Sequence, residues 1–66
     1  MYVIKFQEKE IGTVYLNVDD ISYYSFVEDK TYIVTKTTRF TINGNMIEKL
    51  NRYIKSATNG NILALE

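Results

Sequence analysis

Apolar and polar residues alternate along most of the first forty positions of this chain, and the period then lengthens to three or four. Tyr2, Ile4 and Phe6 fall on one side of a first predicted strand, with Val3 and Lys5 on the other. Residues 8–12 form a predicted turn in which Gly12 can take positive φ. Val14, Leu16 and Val18 then alternate with Thr13, Tyr15 and Asn17, as in a half-buried second strand. Residues 17–20 break the pattern with side chains that bond to nearby backbone.

Alternation resumes at Ile21–Val27, rich in the aromatic and β-branched types that suit a pleated surface. Extended backbone throughout would place Tyr23 with Ile21, Ser25 and Val27, and Tyr24 with Ser22 and Phe26. A polar break at residues 28–30 precedes a strand over 31–37 (TYIVTKT). After a tight connection at 37–38, Phe40 and Ile42 face one way, Arg39 and Thr41 the other. Short connections between strands predict antiparallel hairpins.

The helical period begins near residue 45. Asn45 suits an N-cap, with Glu48 at capping-box spacing. Ile47, Leu50, Ile54 and Ala57 make one apolar stripe, and Asn59-Gly60 is a natural stop. Ile62 to Leu65 could add a last strand to a sheet edge. The expected fold is α+β: a small antiparallel β-meander of four to five strands, with one C-terminal amphipathic helix packed on one face, as a single domain over residues 1–66.

Composition narrows the chemistry. At 66 residues the chain buries a modest core, and it has no cysteine for disulfides or thiolate metal sites. It has no histidine either, the commonest general base and metal ligand. Self-association remains as a means of added stability, so a homo-oligomer is expected. No Gly-rich phosphate loop or nucleophile motif occurs, Ser22, Ser25 and Ser56 have no candidate base, and a chain this short is not expected to form a sizeable pocket. The expectation is a non-enzyme with no cofactor and no metal. No apolar run spans a membrane and the first residues lack signal-peptide order, so the expected compartment is cytoplasmic. Leu65 and Glu66 could be a cloning scar and carry no functional weight here.

Net charge is zero but uneven: residues 1–29 carry a balance of −4 and residues 30–66 one of +4. The acidic pair Asp19-Asp20 fits turn duty, since neighbours in an extended segment point opposite ways and cannot share a metal. Exposed sheet tyrosines can stack nucleic-acid bases, and Tyr23 and Tyr24 are the candidate interaction face. Such platforms usually interleave lysine and arginine, whereas "ISYYSFV" contains neither. Lys36, Arg39, Lys49, Arg52 and Lys55 are the candidate phosphate contacts.

Residues 15–54 resemble the first half of LytTR-type DNA-binding domains. Leu16, Asp20, Ile21 and Tyr23 fill its apolar-strand, Asp-Ile and aromatic-strand slots. Val34 and Thr35 fill the next strand, and Ile47, Leu50 and Ile54 the helix stripe. The family continues with an Arg–His–Ser type strand, where this chain has "NGNILALE", so no DNA contact transfers to a residue here. A similar element order occurs in small flagellar-locus proteins of the FlbD type. Two functional expectations follow. The first is a protein-interaction adaptor or inhibitor, of the kind mobile elements encode, using a sheet edge or the tyrosine face. The alternative is a LytTR-like DNA-binding regulatory module using the basic residues.

Overall fold

The alternating strands form two small sheets. The computed structural model describes residues 3–55 and 62–65. β1 (Val3–Glu8) and β2 (Gly12–Asn17) pair as an antiparallel hairpin. β3 (Ile21–Val27), β4 (Lys30–Thr35) and β5 (Arg39–Asn43) form a second antiparallel sheet, followed by the helix α1 (Ile47–Lys55). The last strand, β6 (Ile62–Ala64), lies parallel to β1, giving the sheet orders β2-β1-β6 and β3-β4-β5. The α+β class holds, with six strands and one helix among the described residues.

Two features depart from a single antiparallel meander. β2 and β3 do not pair, because Val18–Asp20 winds into one 3-10 turn that starts a new sheet. The Asn17 side chain accepts from the Asp19 N–H at 3.0 Å and fixes that turn. β6 is parallel to β1, an arrangement that needs a crossover connection rather than a hairpin.

Ile4, Phe6 and Leu16 from the first sheet pack with Ile33 and Ile42 from the second. Leu50 of α1 and Leu65 complete this buried cluster. Phe6 meets Phe40 edge to face, with ring centroids 5.5 Å apart. The Asn45 side chain accepts from the Ile47 N–H at 3.0 Å, one residue before the cap position, which falls on Met46, whose carbonyl takes the first helical bond from the Leu50 N–H at 2.9 Å. On the predicted stripe Leu50 is buried, and Ile47 and Ile54 are half-buried. Tyr2, Ala57 and the Asn59-Gly60 stop lie outside the described residues. Lys49 and Tyr53 donate to the Leu65 and Ala64 carbonyls at 3.0 and 2.8 Å, tying the last strand to the helix. Among the described residues no helix is long and apolar enough to cross a membrane.

Glu8 joins the two sheets. One carboxylate oxygen accepts from the N–H groups of Glu10 and Ile11 at 2.6 and 3.0 Å, closing the β1–β2 turn. The other accepts from the Thr41 N–H of β5 at 3.1 Å, beside a Lys9 N–H to Thr41 carbonyl bond of 3.2 Å. These backbone donors, Glu10 foremost, hold the Glu8 carboxyl below its ordinary pKa. A depressed acid contributes stability above its unfolded pKa and loses it as pH falls through the folded value. Thermal melts of Glu8→Gln are therefore expected to show less loss between neutral pH and pH ~3 than those of the wild type. Identical slopes for the two proteins would rule out this role for Glu8.

Candidate binding surface

The strand carrying the tyrosines contains an irregularity that decides where they point. Ile21 pairs with Thr35 and Tyr23 with Val34, so Ser22 is an extra residue in β3. An extra residue breaks strict alternation. Ile21 therefore turns toward the core with Tyr24, and not to the side of Tyr23, Ser25 and Val27 as unbroken extension would have it. The Tyr24 hydroxyl donates to Asn51 of α1, which commits that ring to packing between sheet and helix. Tyr23 remains 60 % exposed on the opposite face.

Cross-strand partners share a face, so the register assigns the outer surface of the second sheet. Tyr23, Val34 and Arg39 form one row, and Ser25, Tyr32 and Thr41 the next. Val27, Lys30 and Asn43 form the third. The Arg39 guanidinium lies 5.2 Å from the centre of the Tyr32 ring, within cation–π range. Lys9 reaches Lys30 from the β1–β2 turn. The close approach of the Lys9 side chain, with its like charge, lowers the Lys30 pKa. Three cations thus stand among two tyrosines and two valines. Strand β3 read alone contains no base; the bases come from β4, β5 and a distant turn. Only the pairing register, which the alternation in "KTYIV" and "RFTIN" leaves open, brings them together.

The five basic candidates are dispersed over different elements. Lys36 sits in the turn after β4, and Arg39 opens β5 on the outer face. Lys49, Arg52 and Lys55 belong to α1, and the Lys49 ammonium is spent on the Leu65 carbonyl. On the other sheet, Lys5 lies 5.9 Å from the centre of the exposed Tyr15 ring.

Asp19 and Asp20 occupy the 3-10 turn, not extended chain, so opposed side-chain directions do not apply to them. Both line a groove of about 510 Å³ at the end of the two sheets. Leu16, Ile21 and Phe40 also line it, and the opposite bank carries Lys36, Thr37 and Thr38. A short chain was expected to lack a sizeable pocket; this space lies where β2 hands over to β3 without pairing, lined by Leu16 of one sheet and by Ile21 and Phe40 of the other. The far bank is shaped by Thr35, whose hydroxyl accepts from the Thr37 and Thr38 N–H groups at 3.3 and 3.1 Å and donates to the Thr38 carbonyl at 3.2 Å. Among the described residues no three acidic, histidine or cysteine side chains gather where they could hold a metal ion. Comparison of the chain with protein-family models, curated proteins and solved structures finds no match.

Proposed function

We propose that this chain is a non-enzymatic protein-interaction module, an adaptor or inhibitor, and that its partner docks on the outer face of β3-β4-β5. The observation that carries this reading is the row of Tyr23, Val34 and Arg39 beside Tyr32, on a sheet fixed from behind by the core. Tyrosine and arginine on a preorganised surface are the residue types that dominate binding energy at protein interfaces. Lys9, Lys30 and Arg39 around them call for an acidic partner surface, and such a partner would relieve the crowding of Lys9 and Lys30. A nucleic-acid partner is the second reading, supported by the same cations beside exposed rings.

Tyr23→Ala and Arg39→Glu are expected to weaken partner binding roughly tenfold to a hundredfold each, without moving the circular-dichroism melt by more than a few degrees. The check is affinity capture from the source cell, followed by titration of each captured protein against the wild type and both variants. A short single-stranded oligonucleotide is titrated alongside at low and moderate salt. Loss of one protein ligand with both variants supports the proposal. Binding of the oligonucleotide alone, abolished by salt, would replace it with the second reading. Ligands indifferent to both substitutions would remove this face from consideration.

A further inference from the structure

The groove at the end of the sheets lies apart from the docking face, and its chemistry differs. Its apolar floor is the buried Leu16 with Ile21 and Phe40, which are half-buried. One bank carries the exposed Asp19 and Asp20, the other the exposed Lys36. Among the described residues, none of these three charged groups makes a hydrogen bond or ion pair through its side chain. A volume of about 510 Å³ falls within the range of ligand sites, and the lining joins three apolar side chains to seven polar or charged ones.

We infer that this groove is a second binding site, which takes an apolar side chain of a peptide whose neighbouring residues are lysine or arginine. The apolar floor defines the anchor, since burying a branched or aromatic side chain there removes both its surface and that of Ile21 and Phe40 from water. The local balance of two carboxylates against one ammonium selects the sign of the flanking residues. Thr37 and Thr38, exposed at the other bank, are residue types able to hydrogen-bond the backbone of a peptide. The site takes a basic ligand, whereas the outer sheet face takes an acidic one, so the two surfaces bind different segments and neither depends on the other.

Nuclear magnetic resonance titration of the labelled protein with three capped peptides tests this. Acetyl-Lys-Leu-Lys-amide is expected to shift the amide signals of residues 19–22 and 35–38 saturably. Acetyl-Glu-Leu-Glu-amide should bind about fivefold more weakly, the difference that exposed charge pairs supply. Acetyl-Lys-Gly-Lys-amide should give no saturable shift, because the floor then gains no anchor. In Asp19→Asn/Asp20→Asn the preference for lysine over glutamate should vanish while leucine stays necessary; Asp20→Asn alone serves if the double variant loses its native spectrum. Equal shifts from the leucine and glycine peptides, tighter binding of the glutamate peptide, or no shift from any of them would overturn the inference. Tyr32→Ala, which damages only the docking face, should leave these titrations unchanged, so the two surfaces fail independently.

Discussion

Thr31→Val is expected to lower the unfolding free energy by about 2 kcal/mol, while Thr31→Ser should cost less than half of that. Thr31 is the fully buried polar side chain of β4. Its hydroxyl donates to the Gly44 carbonyl at 2.7 Å and accepts from the Met46 N–H at 2.9 Å. One oxygen thereby satisfies both ends of the connection between β5 and α1, where Gly44 adopts a φ of 90°. Valine keeps the shape of threonine and removes both bonds, leaving a donor and an acceptor without their partner. Serine keeps both bonds and loses one methyl group. For a domain of this size the valine variant should melt roughly 10 °C lower. Urea unfolding followed by circular dichroism decides the matter: a valine midpoint equal to or above that of serine would mean that the two hydroxyl bonds contribute no more than the methyl group does.

The second large effect runs in the opposite direction. β3 and β4 are joined by two residues, Glu28 and Asp29, with φ of 49° and 66°. Two positive φ values in a two-residue hairpin loop mark a type I′ turn, which favours Asn-Gly. An L residue in the left-handed region costs about 1 kcal/mol or more, and glutamate is less tolerant of it than asparagine. Glycine at the second position returns part of the gain through the freedom it has when unfolded. Glu28→Asn/Asp29→Gly should therefore stabilise by about 1 kcal/mol net and raise the melting temperature by roughly 5 °C. The denaturant slope should stay unchanged, since no surface is exposed or buried. A variant that melts at or below the wild-type temperature would mean that the acidic side chains contribute more to this turn than its backbone geometry costs.

These two positions also show how far the sequence was legible. The strands β1–β5 and the helix follow from period alone, because a half-buried element writes its exposure into every residue it contains. Glycine at position 12 announced its positive φ of 85°; nothing about Glu28 or Asp29 announced theirs. Thr31 sits in an apolar run where a threonine is an ordinary strand residue, and its role comes from a connection thirteen positions away. The division into two sheets was hidden for the same reason, since whether β2 pairs with β3 depends on how residues 17–20 turn. The extra residue at Ser22 inverted the expected side of Ile21, because alternation carries no mark of where it will slip. Tyr23 could be picked out from composition, but Arg39 in its row and Lys30 on the same face required the register.

The parallel pairing of β6 with β1 sets Val3 against Ile62, 59 positions later in the chain. Synthesis runs from the amino end, so the β1–β2 hairpin can form long before β1 receives its other neighbour. Until residues 62–65 are made, one side of β1 offers unpaired backbone groups, and Leu65 is not yet present to fill its place in the core. A strand edge in that state recruits whatever strand is nearest, including that of another nascent chain. Closing so long a loop also makes this pairing a slow step. The vulnerable form of this protein is thus the chain still being made, or one cut short before its last strand, and not the finished fold.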